Sequence, residues 1–138
     1  MTYLLDTVVL SEMRKRSRDA AVKHWLDRTS PDALFLSTVT IGEVERGIAR
    51  QRVQNPPFAE TLEAWLGRML DVYEERILPV TIPIARRWGQ LCARIGHNGI
   101  DLMMAATALE NGLTVVTRNV KDFAPTGVPV ENPFMTSA

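Results

Sequence analysis

Apolar residues along this chain fall into two alternating patterns. Tyr3-Leu4-Leu5, Leu34-Phe35-Leu36, Ile77-Leu78-Pro79-Val80 and Leu113-Thr114-Val115-Val116-Thr117 are short runs with little polar interruption. Such runs are the pattern of parallel strands buried on both faces. A last short strand is expected at Val128 to Glu131.

Between the runs, apolar positions recur every three or four residues, which predicts helices. They are expected from Val8 to Arg14 and from Asp19 to Arg28, the latter with Val22, Trp25 and Leu26 on one side. A third spans about Val39 to Arg50, with Ser37 as its N-cap. Asn55-Pro56-Pro57 breaks the chain, which restarts as a long amphipathic helix to Tyr73. Another starts near Pro83, carries Ile84, Trp88, Leu91 and Ile95 on one face, and ends at Gly96-His97-Asn98-Gly99. Leu102 to Leu109 is apolar almost all round, so that helix belongs at the centre, and Gly112 stops it. Strands alternating with helices over short connections predict an α/β fold with a parallel sheet. Such sheets gather their sites at the carboxyl ends of the strands, here just after Leu5 and just after Thr117.

Composition changes this picture little. The length, 138 residues, suits one domain over residues 1–138, and 46% hydrophobic with 23% charged residues is ordinary for a soluble protein. A lone cysteine, Cys92, forms no internal disulfide, and Asp6 interrupts the only stretch resembling a leader, so a cytoplasmic protein is expected. Sixteen basic residues balance sixteen acidic ones. The basic ones cluster, however, at Arg14-Lys15-Arg16 with Arg18, and at Arg46, Arg50 and Arg52. These clusters are either solvated helix faces or a cradle for a phosphate backbone.

The acids carry the candidate chemistry. Asp6 ends the first strand, where a carboxylate is costly to desolvate unless it is paired, hydrogen-bonded or metal-bound. Its bland alternative is to cap the following helix. Glu43 has capping-box spacing from Thr40, but with Ser37 as N-cap it lies in the second turn, free to face the site. Asp101 opens the most apolar helix, either as its N-cap or as a buried acid in need of a cation. Asn119 and Asp122 follow the strand near the C-terminus, one able to offer a carbonyl oxygen and the other a fourth acid. Carboxylates crowded together repel and raise each other's pKa, and a hard divalent cation relieves them. Oxygen donors without His–Cys spacing indicate magnesium or manganese rather than zinc.

Four segments then carry a resemblance. Leu4-Leu5-Asp6-Thr7-Val8-Val9-Leu10-Ser11-Glu12, Leu36 to Glu43, Asp101 to Ala108 and Val116-Thr117-Arg118-Asn119-Val120-Lys121-Asp122-Phe123, with terminal Asn132-Pro133-Phe134, are similar to the ordered motifs of the PIN-domain ribonucleases. Within that family the chain resembles the VapC-type toxins of bacterial toxin–antitoxin pairs. The resemblance implies a three-layer α/β/α sandwich with a mostly parallel sheet and Mg2+-dependent RNA cleavage, with Mn2+ able to substitute. It also implies a homodimer and a VapB-type antitoxin that binds DNA, so that this chain meets DNA only through its partner. Asp6, Asp101 and Glu43 would be the metal ligands. Such an antitoxin is expected to lie on helices near Trp25 and Val44 and to send an Arg or Lys toward Asp6 and Asp101. Val8 departs from the family's Asn, and Asn119 stands where some members have Asp, leaving the fourth position to Asn119 or Asp122. We expect Asp122 to be secondary, held by the turn and stabilising Asn119. Thr117 offers a hydroxyl, and His97 sits in the loop before Asp101.

Rival chemistries fail on specific residues. A haloacid-dehalogenase-like phosphatase needs an acid where Val8 stands, a phosphoryl-receiver domain needs an early acidic pair, and no glycine-rich phosphate loop is present. The alternative from another class is a PIN-like RNA- or partner-binding module with weak or no nuclease activity, to be separated by metal titration with and without Asp101.

Overall fold

Each apolar run becomes a parallel strand in the computed structural model, which describes residues 1–135. The strands are β1 (Tyr3–Leu5), β2 (Leu34–Ser37), β3 (Ile77–Leu78), β4 (Thr114–Val116) and β5 (Val130–Glu131), in the order β3-β2-β1-β4-β5. Every pairing is parallel, with Leu4 opposite Phe35 on one side and Val115 on the other. β1 is therefore the central strand. β3 and β5 come out shorter than their apolar runs because Pro79 and Pro129 lack the N–H a ladder requires.

The helices are α1 (Thr7–Arg14), α2 (Ala20–Asp27), α3 (Thr38–Gln54), α4 (Pro56–Tyr73), α5 (Ile82–Ile95), α6 (Ile100–Asn111) and α7 (Val120–Phe123). Alternation along each strand divides them between the two faces of the sheet. Leu5, Leu34, Leu36 and Val116 pack with Val9 and Leu10 of α1, Trp25 of α2, Ile48 of α3 and Trp65 of α4. On the other face Leu4 and Val115 meet Ile84 and Leu91 of α5, Met104, Ala105 and Ala108 of α6, and Phe123 of α7. The result is the expected three-layer sandwich, with a sheet that is parallel throughout. Each leucine buried in it contributes about 1.5–3 kcal/mol.

Caps set the helix limits. Ser37 Oγ accepts from Val39 N at 3.0 Å, as its position predicted. α3 runs past Arg50 to Gln54 because nothing breaks it before Asn55, whose Oδ1 then accepts from Phe58 N to start α4. α5 and α6 end on Gly96 and Gly112, both at the left-handed φ that glycine adopts without cost. α6 buries Leu102 and the five residues from Met104 to Ala108, confirming it as a central helix.

Glu12 is the one acid buried away from the strand ends. Its Oε2 accepts from Asp19 N at 3.0 Å and its Oε1 from Lys15 Nζ at 3.1 Å, so a single carboxylate ties the end of α1 to the start of α2. The Asp19 amide first, and Lys15 second, hold its pKa below the usual glutamate value. A depressed carboxylate stabilises the fold above its unfolded pKa and loses that contribution as pH falls through the folded one. Glu12→Ala is expected to cost about 1–2 kcal/mol at neutral pH, and the deficit should vanish in acid. Urea melts of both proteins at neutral and acid pH check this; a deficit independent of pH would show the lost packing, not the charge, to be responsible.

Candidate active site

Asp6 leaves β1 and enters α1 in one step. Its Oδ1 accepts from Thr7 N at 2.8 Å, which caps α1 one residue earlier than the apolar pattern indicated. Its Oδ2 accepts from the Thr117 hydroxyl at 2.7 Å, and Thr117 Oγ1 in turn accepts from Asn119 N at 3.0 Å. The residue after β1 is thus fastened to the residue after β4. Asp6 is only 6% exposed. Burial pushes its carboxyl above the usual aspartate value, the Thr117 and Thr7 hydrogen bonds oppose that push, and the charges of Glu43 and Asp122 add to it.

Glu43 lies in the second turn of α3 and takes no part in a capping box, since the Thr40 hydroxyl donates instead to Met104 Sδ. The Thr7 hydroxyl donates to Glu43 Oε1 at 2.6 Å, and Arg46 stands 3.9 Å from Oε2. Thr7 is the residue the sequence reading passed over: it belongs to the first motif, but its bond spans 36 positions and leaves no local trace.

Of the two readings open for Asp101, the N-cap is excluded: Gly99 caps α6 without a side-chain bond, and Asp101 occupies the first turn beyond Ile100. A negative side chain there is favoured by the helix dipole. Among the described residues its carboxylate accepts no hydrogen bond, yet its pKa is raised, first by burial and then by the charges of Asp6, Asp122 and Glu43. His97 opposes the rise, so this exposed loop histidine does lie within reach of Asp101.

Asp122 and Asn119 are both exposed. Asp122 acts on Asp6 and Asp101 through its charge. Asn119 precedes α7 with no side-chain cap bond, and Asp122 touches it only through the backbone, N to Asn119 O at 3.1 Å. The expected support of Asn119 by the Asp122 side chain is therefore absent among the described residues. Val8, 39% exposed in the first turn of α1, adds an apolar point beside the acids.

Four carboxylates thus converge from four elements, and the structure brings together Asp6, Glu43, Asp101 and Asp122 with Asn119 at the margin. Among the described residues no group of three His, Cys, Asp or Glu side chains is poised to hold a metal ion as it stands. The donor chemistry nevertheless fits a hard divalent cation: the acids offer carboxylate oxygens, and burial first, then repulsion from neighbouring acids, raises two of them. Asp6 and Glu43 each have an oxygen held by a threonine hydroxyl, with lone pairs left over.

The basic runs are partly committed elsewhere. Lys15 is bound to Glu12, Arg18 Nε donates to Met13 O, and Arg52 pairs with Glu63 at 2.8 Å. A cleft of about 350 Å3 lined by Ile82, Arg86, Arg87 and Glu110 lies elsewhere. Glu110 stands nine residues along α6 from Asp101, roughly 13 Å, and is paired with Arg87 at 2.6 Å. The Trp25 and Val44 side chains themselves are buried in the core, so a partner lying on α2 and α3 would meet other residues of those helices. No helix among the described residues is long and apolar enough to cross a membrane.

Comparison with known proteins agrees with this architecture. The chain is 32% identical to the VapC ribonuclease Y4jK of Sinorhizobium fredii, over 95% of this chain and 96% of that protein. It is 31% identical to the toxin FitB of Neisseria gonorrhoeae, over 95% of this chain and 97% of that one. The fold superposes on the crystal structure of FitAcB from Neisseria gonorrhoeae with a TM-score of 0.85 at 31% identity, covering 98% of this chain and 100% of that one. The PIN domain profile matches residues 3–127, so the chain belongs to the PIN-domain family.

Proposed function

We propose that this protein is a divalent-metal-dependent endoribonuclease that acts in the cytoplasm as the toxin of a toxin–antitoxin pair. The observation that carries the reading is the convergence of Asp6, Glu43, Asp101 and Asp122, in which Asp6 and Asp101 are both raised, first by burial and then by the charges of neighbouring acids. Similarity to a VapC ribonuclease and to the toxin FitB supports it.

Asp6, Asp101 and Glu43 would hold Mg2+, or Mn2+ in its place. When bound, the ion supplies Lewis acidity toward a phosphoryl oxygen and lowers the pKa of a coordinated water. The chain's own side chains do the positioning. Thr117 and the Thr7 amide hold the Asp6 carboxylate in one rotamer. Thr7 pins Glu43 Oε1, which leaves Oε2 to accept a hydrogen bond from a water approaching the phosphate. Asp101, which accepts no hydrogen bond among the described residues, has its proton affinity raised by burial and then by its acidic neighbours.

RNA-end sequencing after expression of the chain with and without Asp101 tests the activity, with chelator controls on the purified protein. Cleavage that survives chelation would sink the metal assignment. For the fourth position, Asp122→Asn is expected to weaken Mn2+ binding several-fold more than Asn119→Ala, because only Asp122 adds charge to the cluster. The reverse order in a titration would give the role to Asn119. Val8 favours a second reading, a binding module with weak or no nuclease activity; failure to bind Mn2+ at all would select it. The partners proposed are the RNA substrate, a second copy of the chain, and a VapB-type antitoxin through which DNA is met indirectly. An antitoxin guanidinium directed at Asp6 and Asp101 would compete with the metal for the same oxygens.

A further inference from the structure

An acidic site that acts on RNA has to attract a polyanion, and a chain of zero net charge does so only through local cations. Arg118 follows Thr117 directly, so it stands one residue from the hydroxyl that holds Asp6. Its backbone is fixed on both sides, by Thr117 N donating to Glu131 O and by Asn119 N donating to Thr117 Oγ1. The side chain is exposed, yet its guanidinium carbon lies 3.7 Å from the centroid of the Phe134 ring.

That platform is itself anchored. Phe134 packs on the core layer containing Leu5 and Val116, the last residues of β1 and β4, and its N–H donates to Asn132 Oδ1 at 2.9 Å. Stacking on a ring engages the face of a guanidinium and leaves its edge, with the N–H donors, pointing outward. Among the described residues Arg118 forms no ion pair, whereas Lys15, Arg52 and Arg87 are each neutralised by an acid. An oriented, uncommitted fork at the edge of a carboxylate cluster matches two oxygens of one phosphate.

Building on the ribonuclease reading, we propose that Arg118, seated over the Phe134 ring, is a phosphate clamp that grips the RNA backbone beside the acidic cluster. It binds substrate and takes no part in bond cleavage. Its removal therefore raises KM and leaves kcat largely intact.

The test measures binding of a mixed-sequence single-stranded RNA oligonucleotide to the Asp101→Asn protein, alone and combined with Arg118→Ala, Arg118→Lys or Phe134→Leu. Arg118→Ala is expected to weaken binding about tenfold at low salt and to lower the salt-dependence slope by about 0.7. Arg118→Lys keeps the charge and the slope but loses the fork, so it recovers only part of the affinity. Phe134→Leu keeps an apolar anchor, leaves the guanidinium unoriented and weakens binding about threefold. Thermal melts report folding of each variant, and should Arg118→Ala fail to fold, the other two decide. Unchanged affinity and slope in Arg118→Ala, with a lowered Tm, would overturn the clamp and leave Arg118 a tie for the C-terminal segment. Cleavage by the unsubstituted chain is a separate control: its absence counts against the nuclease reading, while the clamp stands or falls on binding.

Discussion

On the proposed function, Asp101→Asn is expected to remove nearly all RNA cleavage, by roughly a hundredfold or more, and to make the metal-free protein more stable. Both effects come from one charge. Asp101 accepts no hydrogen bond among the described residues and is disfavoured as an anion by burial and by Asp6, Asp122 and Glu43. Neutralising it relieves that repulsion, which outweighs the lost helix-dipole interaction at the start of α6, so the metal-free Tm is expected to rise. Asp6→Asn should be equally inactive but should gain less, because an amide cannot accept at both oxygens and the Thr117 hydroxyl loses its acceptor. Cleavage assays with chelator controls and metal-free melts measure the two effects. Retained activity in either variant would falsify the assignment of these acids.

The second large effect is the response of stability to cation and pH together. Asp6 and Asp101 have folded pKa values raised above their unfolded ones. The folded state therefore holds protons more tightly, so the metal-free protein gains stability as pH falls through the raised values, and the gain ends at the unfolded values. Divalent cation reverses the slope, because it competes with those protons for the same oxygens. At neutral pH and a hundred times its Kd, Mg2+ or Mn2+ should stabilise the fold by about 2.7 kcal/mol, roughly 10 °C. The increment should shrink toward acid and largely disappear in Asp101→Asn. Calorimetry of metal-free and Mn2+-loaded protein across pH decides it, and a Tm indifferent to Mn2+ would leave the chain a binding module.

Strands and caps were legible in the sequence because their causes are local. Leu4-Leu5 and Val115-Val116 are apolar on both faces and so announce buried strands; Ser37 sits one residue before its helix, and Gly96 and Gly112 one residue after theirs. The start of α6 was read two residues late because Gly99 caps it with backbone alone and Ile100, exposed at the first position, adds nothing to the apolar run from Leu102. The acids themselves were legible by motif, but what holds them was not. The Thr7–Glu43 and Thr117–Asp6 bonds span 36 and 111 positions. Only a finished sheet brings such partners together, and the Arg118–Phe134 stack escaped for the same reason.

The bond from Thr117 to Asp6 also carries a consequence for timing during synthesis. β1 is made first, but its neighbour β4, the hydroxyl that fixes Asp6, and Asp122 all arrive near the end of translation. At about 5–20 residues per second, the ribosome adds the segment from Asp6 to Thr117 over several seconds, and for that interval the central strand has β2 on one side and an open edge on the other. A nascent or prematurely terminated chain that stops before β4 cannot assemble the carboxylate cluster. Whatever activity that cluster carries would in this way be withheld until synthesis is nearly complete.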